Sequence, residues 1–194
     1  MKKFLTLAVL AVASVFGANA GNLYLGGNVG FMHKESASGE GNPLNFDKVN
    51  EFTILPEIGY NVNKSWSFGT TIGYSLTGFC NTGVSYHSFE FNPYARWTYL
   101  RTSNNLVQLF VDGTAGFGIG RFDDGGDSES AITYQIGLKP GVAFNLSEHF
   151  SIVAHVGFLG YKGADDNAYA AGKPRQGGLF VNGNDLTLGF YYNF

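Results

Sequence analysis

From about residue 22 onward, apolar side chains recur at every second position in eight runs, separated by polar or glycine-rich stretches. The last run is the clearest. Leu186, Leu188, Phe190, Tyr192 and Phe194 share one face, and Thr187, Gly189, Tyr191 and Asn193 share the other. A period of two predicts a β-strand. The same alternation predicts strands over about 22–33, 49–62, 66–77, 84–99, 106–120, 131–145 and 150–161. In the seventh of these, Phe150, Ile152, Ala154, Val156 and Phe158 form the apolar face and His155 falls on the opposite one.

The connections sort into two groups. Short turns at 63–65, 101–105 and 146–149 fall at the end that carries both termini. The segments 34–48, 78–83, 121–130 and 162–183 fall at the other end, and the last of them is predicted as the longest loop. Each run is long enough to cross a bilayer when tilted, which takes about 9–11 residues. Alternation alone would also suit a soluble sandwich or a lipocalin-like barrel, with the apolar face turned inward. Three features select the inverted arrangement. The second face is rich in Gly, Ser and Thr, which suits a crowded lumen. Aromatic residues gather at the turn-side strand ends (Trp66, Trp97, Tyr99, Phe144, Phe150, Tyr192 and Phe194), as a membrane interface selects. Charged residues make up only 14% of the chain, low for a solvated surface. The expected fold is all-β: an eight-stranded antiparallel up-and-down transmembrane β-barrel.

The first residues add a second signal. Lys2 and Lys3 precede an apolar stretch over 4–17, followed by Ala18-Asn19-Ala20. This is the layout of a cleaved secretory signal peptide, too short to serve as a spanning helix. The expected organisation is a signal peptide over 1–20 and a barrel domain over 21–194. Loss of both lysines makes the mature chain more acidic than the formal net charge of −3. That balance argues against nucleic acid as a partner. Cys80 is the single cysteine, so no internal disulfide forms, and a small loop residue is its expected role. The loop with Asp123, Asp124, Asp127 and Glu129 lacks the spacing of an EF-hand and reads as an acidic solvated loop. Neither a metal nor any other cofactor is expected.

Two stretches carry a resemblance. Pro56-Glu57-Ile58-Gly59-Tyr60 and Lys139-Pro140-Gly141-Val142-Ala143-Phe144-Asn145-Leu146-Ser147, with the strand that follows, resemble the small eight-stranded outer-membrane protein β-barrel family of Gram-negative bacteria. The terminal Phe190, Tyr192 and Phe194 look like the signal read by that family's assembly machinery. The resemblance extends over 21–194. It implies residence in the cell outer membrane, with outer-membrane lipid, lipopolysaccharide and the barrel assembly machinery as partners and loops open to an extracellular ligand. It leaves activity unassigned, since one fold hosts many functions.

Alternation puts Glu57, Arg96, Asp112 and Lys139 inside, at similar distances from the nearest short turn. Arg96 and Asp112 fall close to cross-strand partners. Two acids and two bases in one layer are expected to pair as a plug, with Glu90, Tyr94, Gln135 and His155 adding hydrogen bonds. The sharper alternative is a narrow pore in which the ion pairs exchange partners. No catalytic residue is expected. His149 and Ser151 share a face but lie at the turn end, His87 and Ser88 point to opposite faces, and His33 has no evident Ser partner. The expected role is structural, supporting envelope integrity, with a loop-mediated adhesin or a narrow pore as alternatives.

Overall fold

The computed structural model describes residues 22–35, 48–79, 85–123, 130–170, 175–180 and 186–194. The leader, Cys80 and the acidic positions Asp124, Asp127 and Glu129 lie outside the described residues. The strands are β1 (Leu23–Glu35), β2 (Lys48–Asn61), β3 (Trp66–Phe79), β4 (Ser85–Arg101), β5 (Val107–Asp123), β6 (Ser130–Asn145), β7 (Phe150–Val156), β8 (Phe158–Ala164), β9 (Gln176–Phe180) and β10 (Leu186–Asn193). A short helix, α1 (Asp166–Ala170), lies between β8 and β9.

Each consecutive pair from β1 to β6 is antiparallel, β7 bridges β6 and β10, and β10 returns to β1. The sheet therefore closes as an eight-strand barrel, in which β7 and β8 together make the seventh crossing. Closure removes the open edge that lipid does not tolerate. The last strand completes it, with the amide of Phe194 donating to the Leu23 carbonyl at 3.0 Å.

Polarity is inverted relative to a soluble domain. Val29, Ile72, Phe89, Ile136, Leu188 and Phe190 face outward and are exposed. Glu57, Asn92, Arg96, Asp112, Thr114 and His155 are buried within. An apolar exterior around a polar interior is what a lipid solvent selects. At the turn end Trp66 stacks on Trp97 with ring centroids 6.5 Å apart, and Tyr192 sits edge-on to Phe194 at 5.0 Å and to Phe150 at 5.2 Å. Side chains close the turns themselves. Asn63 Oδ1 accepts from the amides of Ser65 and Trp66 at 2.8 and 2.9 Å, and Ser147 Oγ accepts from the amide of Phe150 at 3.0 Å.

One expectation from alternation fails in the seventh crossing. The pairing with β6 passes from Gly141↔His155 to Leu138↔Leu159, three steps on one strand against four on the other. The extra residue is Gly157, with φ of 112°. It forms a β-bulge, which reverses the inside–outside parity of everything after it. Phe158, expected among the outward residues, is therefore inside and 1% exposed. The region 162–183, expected as loop, also carries ordered structure: β8 continues to Ala164, α1 follows, and β9 returns against β8 from Phe158↔Phe180 to Lys162↔Gln176. Asp165 ties this hairpin to the barrel. Its Oδ1 accepts from the Ala168 amide at 2.7 Å, and its Oδ2 from the Ile132 amide at 2.9 Å. Arg175 adds two bonds, to the Ala164 carbonyl and to Asp166 Oδ1, both at 2.6 Å.

Candidate functional site

The lumen is crossed at one level by a network of charged and phenolic groups. Arg96 on β4 and Asp112 on β5 are direct cross-strand partners. The guanidinium meets the carboxylate in a fork, Nε to Oδ1 at 2.7 Å and Nη2 to Oδ2 at 2.8 Å. Bidentate geometry makes this one of the stronger pairings available to a buried charge. His155 Nε2 lies 2.9 Å from Asp112 Oδ2, and since a carboxylate only accepts, the imidazole donates. On the other side of the guanidinium, Glu57 Oε1 lies 3.6 Å from Nη2.

Glu57 is held chiefly by phenols. Tyr94 donates its hydroxyl to Oε1 in a short contact, and Tyr191 donates to Oε2 at 2.7 Å. Tyr24 lies 2.5 Å from the Tyr94 oxygen. Tyr94 commits its proton to Glu57, so Tyr24 donates to Tyr94. Every carboxylate oxygen in the cluster thus receives at least one donor, the condition for keeping charges out of water.

The cation is also enclosed by rings. The Arg96 guanidinium carbon lies 4.0 Å from the centroid of Phe110, 5.3 Å from Tyr94, 5.6 Å from Tyr191 and 5.9 Å from Tyr24. The neighbouring strands make room for them. Each of the four rings lies directly opposite a glycine: Tyr24 faces Gly59, Tyr94 faces Gly69, Phe110 faces Gly141 and Tyr191 faces Gly26. A Cβ at any of these glycines would overlap the ring beside it. Tyr94 and Tyr191 so fill the lumen and at the same time bond to Glu57.

Of the four charged residues expected to form one layer, the structure brings Glu57, Arg96 and Asp112 together. Lys139 does not join them. It is the backbone partner of Asp112, yet its ammonium lies 6.0 Å from the ring of Phe158. The reason is competition, because Asp112 already accepts from Arg96 and His155. His155 takes the place foreseen for the second base. Among the polar residues expected nearby, Gln135 donates to Asn92 Oδ1 at 2.6 Å, and Asn92 reaches Glu90 at 3.4 Å. That group stands above the ion pair. Tyr24, Phe110 and Tyr191 were not foreseen in the cluster, although the glycine facing each ring was a readable signal.

Of the histidines weighed for catalysis, His149 and His87 are engaged elsewhere, and the His33 side chain lies outside those described. His149 Nδ1 is 2.9 Å from the Asn193 carbonyl, while Ser151 donates to Asn145 at 2.8 Å. His87 Nδ1 meets the Tyr74 hydroxyl at 2.7 Å on the outer face, and Ser88 meets Ser75 at 2.7 Å inside. The expected assembly residues Phe190, Tyr192 and Phe194 point outward.

Comparison with known proteins agrees with this geometry. A search of the curated proteins found no match. Among solved structures, Neisserial surface protein A aligns over 90% of this chain and 97% of its own, at 14% identity and a TM-score of 0.57. Ail, the attachment invasion locus protein of Yersinia pestis, aligns over 88% and 94% at 16% identity, with a TM-score of 0.45. The first likeness extends to the fold. The model of the outer membrane protein beta-barrel domain matches residues 4–194. An apolar exterior, a closed antiparallel sheet and that match together place the chain in the outer membrane protein β-barrel domain family.

Proposed function

We propose that this chain is a non-conducting structural barrel of the cell outer membrane, supporting envelope integrity and presenting loops to the exterior. The network of Glu57, Arg96, Asp112 and His155, ringed by three tyrosines and Phe110, carries this reading. Its bonds run across the lumen between β2, β4, β5, β7 and β10, so it ties opposite walls together and fills the interior. Residues 1–20 act as an export signal removed before insertion. Phe194 with Phe190 and Tyr192 engages the barrel assembly machinery, and lipid and lipopolysaccharide contact the outward apolar face. The role is not catalytic.

A second reading is supported by the β8–α1–β9 hairpin. It is braced by Asp165 and Arg175 and presents Tyr169, 58% exposed, beside the Arg175 guanidinium at 4.9 Å. A braced hairpin on a rigid scaffold is suited to contact another surface. One experiment separates the two. A deletion strain is complemented with the wild-type chain or with a chain whose residues 162–183 are exchanged for a neutral linker. Restored resistance to large antibiotics by the exchanged chain supports the structural role. Failure to restore it, together with loss of cell or matrix binding, supports the adhesin.

A further inference from the structure

A cavity of about 430 Å³ lies on the turn side of the charged network. Tyr24, Arg96, Phe110 and Tyr191, all buried, close its inner end. Lys64, Arg101 and Glu148 are exposed at its rim, so it opens toward the short turns. Its walls come from strand ends whose inward positions are polar: Asn61, Thr98, Gln108 and Asn193. Neighbours hold these side chains in place. Ser67 donates to Asn61 Oδ1 at 2.7 Å, Gln108 Nε2 to Asn105 Oδ1 at 3.2 Å, and Asn193 Nδ2 to Ser151 Oγ at 3.1 Å. The turns are also tied to one another. Arg101 donates to the Lys64 carbonyl at 2.7 Å and to Asn105 Oδ1 at 3.1 Å, and Asn145 Nδ2 donates to the Asn105 carbonyl at 2.6 Å. The mouth of the cavity is therefore a braced frame, which lowers the ordering cost of taking up a ligand.

These braces leave a defined set of groups unspent. Among the described residues, the Asn61 Nδ2 hydrogens have no acceptor, Asn193 Oδ1 and Gln108 Oε1 have no donor, and the Thr98 hydroxyl has no side-chain partner. None of these atoms is occluded, and all four residues line the cavity. Charge does not converge on it. Arg96 is committed to Asp112, Arg101 to the turns, and Lys64 and Glu148 carry opposite signs at the rim. The apolar lining near the plug, Phe110, Ala143 and Val153, is buried and offers little surface. Such a wall selects an uncharged ligand without a large apolar group, whose own groups both donate and accept. Sugar hydroxyls do both. An acetamido group supplies the N–H and C=O that complement a side-chain amide.

We infer that the turn-side cavity binds an uncharged saccharide carrying acetamido groups, which enters from the end opposite the long loops. Asn61 Nδ2 donates to it, Asn193 Oδ1 and Gln108 Oε1 accept from it, and the Thr98 hydroxyl does either. The volume falls within the roughly 300–1,000 Å³ typical of small-ligand sites. The site adds a ligand to the structural barrel and leaves the plug beneath it intact.

Side-chain amide NMR of the folded barrel in dodecylphosphocholine, a detergent without a sugar head, tests this. The probe is N,N′-diacetylchitobiose, and sorbitol serves as the acyclic polyol for comparison. The disaccharide should give saturable shifts at Asn61, Gln108 and Asn193 in the millimolar range, while Asn92 and Gln135 beyond the plug stay unmoved. Thr98→Val combined with Gln108→Met removes two neutral hydrogen bonds to the ligand and should weaken it about fivefold or more. Thr98→Ser, which keeps the hydroxyl, should hold it. Heat-modifiable gel mobility confirms that each variant is folded. Wild type that gives no saturable shift, or that responds equally to sorbitol, overturns the site whatever the variants do. Shifts confined to Asn92 and Gln135, or unchanged affinity in the folded double variant, overturn it as well.

Discussion

Arg96→Met removes the guanidinium that bridges Asp112 and Glu57 while keeping most of the side chain's volume and apolar stem. Two charge-assisted hydrogen bonds to Asp112, at 2.7 and 2.8 Å, are lost. Each such bond contributes about 1.5–3 kcal/mol, but the two share one carboxylate and do not add fully. Asp112 is then left with His155 as its donor, and Glu57 loses the positive charge 3.6 Å away while keeping its two tyrosines. Deleting one member of a buried pair costs about 3–5 kcal/mol, most of it from the stranded partner. Asp112→Asn strands Arg96 instead, at a cost of about 2–4 kcal/mol by the same reasoning. The double variant leaves neither charge stranded. It should be less damaged than the sum of the single changes, with a coupling of about 2–3 kcal/mol. Urea unfolding in lipid vesicles, followed by Trp66 and Trp97 fluorescence and by gel mobility, measures all three. A loss below about 1 kcal/mol for Arg96→Met, or strictly additive losses, would refute the assignment of this pair as the principal tie across the lumen.

Gly69→Ala places a Cβ against the Tyr94 ring and should cost about 1–3 kcal/mol in the same assay, because the ring is held to Glu57 and cannot yield freely. A neutral result would mean that the lumen is looser than its ring–glycine pairs imply. Gly157→Val puts a β-branched residue at φ 112° and should cost about 1–3 kcal/mol. Hydrogen exchange should rise in β8 and β9 before it rises in β2 and β3, and uniform protection would count against the bulge as the point of transfer. Phe194→Ala should lower the amount of folded barrel in cells more than it lowers the unfolding midpoint of purified barrel. Equal losses would argue that Phe194 acts only through its contact with Tyr192.

The fold was legible because strands in lipid obey one rule along their whole length. Outward positions such as Ile72, Phe89 and Phe190 need only be apolar, so period two survives without interruption. Inward positions answer to their neighbours across the lumen, and the sequence identified the level of the charges without deciding which of them pair. Asp112 lies opposite both Arg96 and Lys139, and only the fork geometry and the added His155 decide in favour of Arg96. Phe158 was misplaced because a bulge costs one residue of count and leaves no trace in hydropathy. The glycine at 157, set between Val156 and Phe158 inside the strand, was the available hint. The elements β8, α1 and β9 were hidden by their short lengths and many glycines, since Asp165 and Arg175 stabilise them through contacts distant in sequence.

The proposed seal of the lumen is tested most directly by single-channel recording of purified barrel in planar bilayers. Wild type and Arg96→Ala should both leave the bilayer silent, because Phe110, Tyr24, Tyr94 and Tyr191 still fill the level of the ion pair when the guanidinium is gone. Reproducible unitary steps from wild type, changed in size or lifetime by Arg96→Ala, would contradict the seal and identify the same network as a gate.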